Sequence, residues 1–251
     1  MPSSSVDHQP VSGTQDNRFQ NGCSCRPVDP DGWQRWSFTA GFLSIPVEPD
    51  DNHRGWAERS GEFSPAYYAQ LGANNVSETL AATCDYYLSE DAAILEIGCS
   101  SGRHLTRLRE NGFTNLTGID INDESFAVMA DQYPELAATG TFQTGLIEEL
   151  VPEYPDDAFD LVYSVETLQH IQPQNTWVFE ELARITGGLL ITAENEGNGP
   201  QRGRADATVS YVNDEFPLYF RNWKRIFTDL GFAQLTCEPS ERDTIRTFRA
   251  L

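Results

Sequence analysis

The chain almost lacks lysine. Of its 17 basic residues 16 are Arg and one, Lys224, is Lys, set against 38 acidic residues for a formal charge of −21. Such an excess repels nucleic acid and anionic lipid, and at low ionic strength it strains a compact fold. In molar salt the Debye length falls to about 3 Å and the repulsion is screened, while carboxylates still hold water. Lys adds poorly hydrated apolar stem, so its near-absence reads as adaptation to a salt-rich cytoplasm; an acidic protein of ordinary surroundings would leave the single Lys unexplained. Long apolar runs are also missing: no stretch approaches the roughly 18 residues of a spanning helix. The opening Met-Pro-Ser-Ser-Ser-Val lacks the basic-then-apolar order of a secretory leader. A soluble, cytoplasmic chain without membrane contact is the expectation. Cysteine is scarce and scattered (Cys23, Cys25, Cys84, Cys99, Cys237), a spacing that predicts neither a disulfide framework nor a metal site.

What is present suffices for a core: 39% of residues are hydrophobic and 11% aromatic, in a length suited to one large α/β domain. Residues 1–53 read as a flexible, partly disordered extension. Inside it Trp33, Trp36, Phe38, Phe42, Leu43 and Ile45 either pack on the main domain or serve in a lid or partner contact. Cap helices are expected over 64–89, with Ser77 as an N-cap. A regular alternation follows, with strands at 92–97, 116–121, 141–144, 159–164 and 188–192 and helices at 103–111, 124–132 and 176–185 between them. This order implies right-handed crossovers and a parallel sheet covered by helices on both faces. A helix over 217–230 and two successive strands, 232–237 and 244–248, end the chain, so a hairpin should add an antiparallel element at the sheet edge.

The turn after the first strand reads Glu96-Ile-Gly98-Cys99-Ser100-Ser-Gly102, and the second strand ends on Asp120, 22 residues beyond Gly98. Glycines let the backbone approach a ligand, a helix N-terminus offers free N–H groups, and an acid on the next strand accepts ribose hydroxyls. The dinucleotide fingerprint needs glycines at 98, 100 and 103; Ser100 and Arg103 break it. Glu96 argues the same way, since a carboxylate beside a pyrophosphate would be repelled while one beside an ammonium or sulfonium is welcome. Each residue has a plainer reading beside this one. Gly98 and Gly102 suit any tight strand-to-helix turn, Asp120 suits a helix cap, Glu96 a structural ion pair, and Cys99 the filling of a turn.

The ordered segments Ile94-Leu-Glu-Ile-Gly-Cys-Ser-Ser-Gly-Arg-His104, Gly118-Ile-Asp-Ile121 and Phe159-Asp-Leu-Val-Tyr-Ser164 with Leu168-Gln-His-Ile171 resemble the motifs of class I S-adenosylmethionine-dependent methyltransferases over residues 75–250. The resemblance implies a Rossmann-like, seven-stranded, mostly parallel sheet with the antiparallel terminal hairpin, in a domain of residues 54–251. It implies S-adenosylmethionine as cofactor, held by Glu96, Gly98, Cys99, Ser100 and Gly102 at the methionine part, Asp120 at the ribose, and Ile121, Leu146 and Ile147 at the adenine. Ser164 and Val165 would face the reactive end. Two positions depart from the family: Ser100 replaces the middle glycine, and Leu146 stands where a carboxylate usually holds the adenine amine. The composition points to a halophilic archaeon as the source.

Methyl transfer is an in-line displacement, sometimes with removal of an acceptor proton. His170 and Glu166 are the candidate bases; His170 equally suits the ordering of a helix start. The Asn/Asp-Pro-Pro-aromatic tetrad is missing at Ser164-Val-Glu-Thr167, the two-lysine ribose mechanism cannot operate with one Lys, and no Cys follows a Pro. Nucleic acid is thereby disfavoured, and a small-molecule acceptor methylated on O or N is favoured over RNA, protein or mere cofactor binding. Arg202, Arg204, Arg221, Lys224 and Arg225 could grip an acidic acceptor or balance nearby acids, and Tyr67 and Tyr68 either cover the cofactor or pack. Oligomeric state is left open. The charge reading makes its own prediction: thermal unfolding in dilute buffer should be broad and early, sharpening above a few tenths molar salt (order of magnitude from screening); full cooperative stability without salt refutes it.

Overall fold

The computed structural model describes residues 49–197, 208–212, 216–240 and 242–251. The expectations for residues 1–48, including the aromatic stretch 33–45, and for Arg202 and Arg204 lie outside the described residues. Seven strands form one sheet in the order β3-β2-β1-β4-β5-β9-β8. These are β1 (Ile94–Ile97), β2 (Leu116–Asp120), β3 (Thr141–Thr144), β4 (Phe159–Val165), β5 (Thr186–Glu194), β8 (Phe232–Ser240) and β9 (Asp243–Ala250). β1 to β5 run parallel, and β9 inserts antiparallel between β5 and β8. The mostly parallel sheet and its antiparallel terminal hairpin are thus as the alternation implied.

Strand periodicity divides the core between the two faces. Along β1, Ile94 points to one side, with Leu161, Tyr163 and Leu189. Leu95 and Ile97 point to the other, with Val162, Leu190 and the aromatic group Phe179, Trp223 and Phe227. Helices α3 (Asn75–Tyr87), α4 (Arg103–Glu110), α5 (Glu124–Gln132) and α6 (Pro134–Thr139) contribute to the first side, and α8 (Val178–Ile185) and α9 (Trp223–Asp229) to the second. Burial on both faces explains why the central strands read as continuous apolar runs. Before α3 come α1 (Pro49–Ala57) and α2 (Pro65–Leu71), and a single-turn helix α7 (Ile147–Leu150) follows β3. The division expected at residue 53 falls within α1. No helix among the described residues is long and apolar enough to cross a membrane.

Three details differ from expectation. The segment 217–230 is not one helix: Phe216–Phe220 is strand β7, paired antiparallel with β6 (Thr208–Val212), and only Trp223–Asp229 is helical. Pro217, Tyr219 and the flanking phenylalanines favour an edge hairpin, and Asn222 caps the helix by accepting from the Arg225 N–H. Helix α3 is capped by Asn74, with Ser77 returning the bond from its third position as a capping box. Cys237 is disulfide-bonded, whereas Cys84 and Cys99 are free and buried, so a bridge is present where the spacing predicted no disulfide framework.

Gly102 joins the β1 turn to α4 with φ of 83°, and a Cβ there would lie 2.8 Å from Leu136 and from Met129. It therefore sets how closely α4 packs on α5 and α6. Gly102→Ala should cost about 1–3 kcal/mol through left-handed strain and overpacking, measured by urea unfolding; a change within experimental error counts against this role.

Candidate active site

At the C-terminal ends of the parallel strands, beneath α1 and α2, lies a cavity to which β1, β2 and β4 each deliver residues. Glycine explains the first approach. Gly98 has φ of 69°, and a Cβ would sit 2.1 Å from the Thr167 Oγ1, so the turns after β1 and β4 touch only because position 98 has no side chain. The N–H groups of Gly98 and Cys99 both donate to the Ile119 carbonyl at 2.9 and 3.0 Å, tying the turn to β2. Ser100 takes φ of 48°, the conformation a glycine would adopt without strain, and donates its N–H to Asp120 Oδ2 at 2.7 Å. Asp120 Oδ1 accepts from the Asn122 N–H at 2.9 Å and from the Ser125 hydroxyl at 3.0 Å. Burial nevertheless raises the Asp120 carboxyl above its ordinary range against these donors.

Glu96, almost wholly buried, accepts from the Tyr163 hydroxyl at 3.0 Å. Desolvation holds its carboxyl well above the usual range, opposed by Tyr163 and Arg103. Arg103, at the start of α4, is 8% exposed. Its guanidinium stacks 4.8 Å over the Tyr68 ring and has no hydrogen-bond acceptor among the described residues, so a buried cation faces the cavity with its donors unspent. Glu148 on α7 is joined through Oε1 to His53 and Asn175, at 3.2 and 2.7 Å. Its Oε2 is buried and has no hydrogen-bond partner among the described residues.

The segment after β4 is positioned from below by Glu194, at the end of β5. Its carboxylate accepts from the Ser164 hydroxyl at 2.6 Å and from the N–H groups of Thr167, Leu168 and Gln169 at 3.3, 3.1 and 3.1 Å. Burial still pushes it up to about 7. His170, at the end of the short 3-10 turn Leu168–His170, bonds through Nδ1 to the Pro217 carbonyl at 2.8 Å and lies 4.7 Å from the Trp56 ring. Burial lowers it to about 4, so its ring is neutral and Nδ1 is the donor. Glu166 has φ of 54° and is ion-paired with Arg242.

Glu96, Gly98, Cys99, Ser100, Asp120, Ile121, Leu146, Ile147, Val165, Glu166 and His170 all line the cavity. Gly102 and Ser164 do not: Gly102 serves helix packing, and the Ser164 hydroxyl is turned inward to Glu194. The Cys99 thiol, pushed far up by burial, packs under the turn against Gly118. Tyr68 lines the cavity and Tyr67 does not. Arg221 is structural, 4% exposed and bonded to the carbonyls of Leu168 and Ile171, and Arg225 pairs with Asp229 on the solvent face of α9. Arg59, Arg103 and Arg242 face the cavity instead. They were missed, with Trp56, Phe63 and Glu148, because their segments come over the site only through tertiary packing; for Arg103, its place directly after the glycine turn was an available signal.

Residues 95–192 match the family model of a methyltransferase domain. The ubiquinone biosynthesis O-methyltransferase of Paramagnetospirillum magneticum is 24% identical over 58% of this chain and 57% of its own length. Phosphoethanolamine N-methyltransferase 3 of Arabidopsis thaliana is 24% identical over 58% of this chain and 29% of its length. The alignments therefore span little more than half of the first relative and less of the second. Among solved structures, 1,6-didemethyltoxoflavin-N1-methyltransferase of Burkholderia thailandensis, with bound S-adenosylhomocysteine, superposes with a TM-score of 0.56 at 15% identity, covering 70% of this chain and 77% of that one. An S-adenosylmethionine-dependent methyltransferase of Methanosarcina mazei gives 0.54 at 20% identity, covering 72% and 99%. These likenesses show the fold.

Glu194 yields a pH prediction. Its folded pKa exceeds the ordinary carboxylate value, so between about pH 4.5 and 7 the folded state holds more proton than the unfolded one, and its contribution to stability falls as pH rises through that window. Glu194→Gln loses backbone acceptors and should be less stable at pH 5. Relative to the wild type it should recover by up to about 3 kcal/mol on going to pH 8. Urea unfolding of both proteins across this range tests it, and a constant difference refutes it.

Proposed function

We propose that this protein transfers the methyl group of S-adenosylmethionine to an oxygen or nitrogen of a small-molecule acceptor. The observation that carries this reading is the order of charges along the cavity. Strand order β3-β2-β1-β4 sets out in turn Glu148 with its open Oε2, Asp120, Glu96 with the unspent Arg103 near it, and Glu166. An amine-bearing base, a ribose diol and an amino-acid zwitterion are the groups this order suits. Glu148 thereby offers the acceptor that Leu146 lacks, two residues further on. Glu96, its carboxyl raised by burial, is the natural partner of an ammonium, and Arg103 of the adjoining carboxylate.

When bound, the cofactor supplies an electrophilic methyl group. The protein's part is alignment: Gly98 and Ser100 bring backbone close, Asp120 fixes the sugar, and α1 and α2 with Trp56 and Tyr68 cover the site and exclude water. Val165 and Glu166 mark the reacting end. The named relatives include both O- and N-methyltransferases of small molecules, which supports the acceptor class. The catalytic unit is taken as residues 54–251, bridged through α1 to an N-terminal extension, in a halophilic cytoplasm.

Calorimetry with S-adenosylhomocysteine tests the reading. Asp120→Ala should weaken binding by about tenfold or more. Arg103→Met should weaken S-adenosylhomocysteine but not 5′-methylthioadenosine, which has no amino-acid tail. Binding of NAD instead, or an unchanged affinity in Asp120→Ala, overturns the assignment.

A further inference from the structure

Where β4 ends and β9 begins, two carboxyl groups and an arginine meet at the cavity wall. Glu166 follows the last residue of β4 with φ of 54°, a left-handed conformation that an L-residue keeps where surrounding contacts enforce it. Arg242 meets it there, its Nε and Nη2 both reaching Glu166 Oε1. Glu166 and Arg242 line the cavity. Asp243 lies behind them, 9% exposed, its Oδ1 without a hydrogen-bond partner among the described residues and its carboxyl in hydrogen-bonding contact with that of Glu166.

Two carboxyl groups bond to each other only through a proton, so one of the pair carries it. Burial, then the Glu166 charge, drives Asp243 toward its acid form; Arg242 opposes the rise and Glu194 adds to it. The other polar groups facing the pair do not replace it. The Tyr68 hydroxyl on α2 is held protonated by burial, Arg103 and Arg221 are cations, Glu194 is spent on backbone N–H groups, and His170 is a weak base at about 4.

We propose that Glu166 and Asp243 form a proton-sharing carboxyl pair, oriented by Arg242, in which Glu166 takes the proton that an acceptor hydroxyl or ammonium surrenders on methylation. This rests on the methyltransferase reading of the cavity. The acceptor's lone pair forms the new bond to carbon as the methyl–sulfur bond breaks, its electrons remaining on sulfur. The acceptor proton passes to Glu166 and then to solvent, which returns the pair to one shared proton. Glu166 is the catalytic residue; Asp243 is a positioning residue that acts through it.

The pair is tested by carbon-detected NMR of the carboxyl groups of the full chain in molar KCl from pH 5 to 9. One resonance, absent from Asp243→Asn, should keep its protonated shift at pH 7, and in Glu166→Gln it should titrate about one unit lower or more. An ionised Asp243 at pH 7, or a titration indifferent to Glu166→Gln, overturns the pair. The transfer role is tested with labelled methyl from S-adenosylmethionine into the low-mass fraction of a cell extract. Glu166→Gln should slow incorporation about 100-fold while binding S-adenosylhomocysteine as the wild type does. Asp243→Asn, which still donates a hydrogen bond, should retain most of the rate, and Asp243→Ala should lose it and move the acid limb of the pH–rate profile. A full rate in Glu166→Gln overturns the role. A wild type that does not bind S-adenosylhomocysteine overturns the cofactor reading and the transfer role with it, whereas the NMR result decides the pair by itself.

Discussion

A carboxylate out of reach of solvent, Glu194, gathers one serine hydroxyl and three consecutive backbone N–H groups at the end of β5. Those N–H groups belong to the turn that follows β4, and most of the cavity wall on that side hangs from it. Thr167 meets Gly98, Glu166 is thrown into a left-handed conformation toward the cavity, and His170 is carried to the β7 hairpin. A charged acceptor is suited to this task because it can take several donors at once, and the bonds it accepts are stronger than neutral ones. Desolvation sets the cost: burial raises its pKa despite every donor.

The same opposition of desolvation and pairing runs through the cavity. Glu96, Asp120 and Asp243 are all raised by burial before any other influence, and Arg103 is a buried cation without an acceptor among the described residues. A chain that carries 21 excess negative charges overall thus turns three arginines, Arg59, Arg103 and Arg242, toward one cavity. Surface charge answers to the solvent and its salt; the cavity charges answer to a ligand, because in a low-dielectric site each unpaired group is costly until a complementary one arrives.

Local pattern carried the fold a long way. Strand and helix alternation requires no distant partner to be recognised, so the parallel sheet, the terminal hairpin and the glycine turn with Asp120 could all be read in order. The error at Phe216–Phe220 arose because an aromatic-rich segment fits either a helix or an edge strand, and its partner, Thr208–Val212, settles the matter. Ser164 was misjudged for a related reason. Residues at a strand's end alternate between faces, and only the position of Glu194 decides that this hydroxyl turns inward.

The sequence by itself determined which residues could bend, alternate and carry charge: the glycines at 98 and 102, the acids at 96 and 120, and the strands that deliver them. Those properties are local, resting on φ/ψ freedom, period and composition. Only the tertiary structure decided which charges meet. Arg103 under Tyr68, Glu148 with an open oxygen, Trp56 over His170, and Asp243 against Glu166 depend on contacts between residues dozens to more than a hundred positions apart. A carboxylate's proton affinity follows from the burial and the partners found there, not from the letter in the chain.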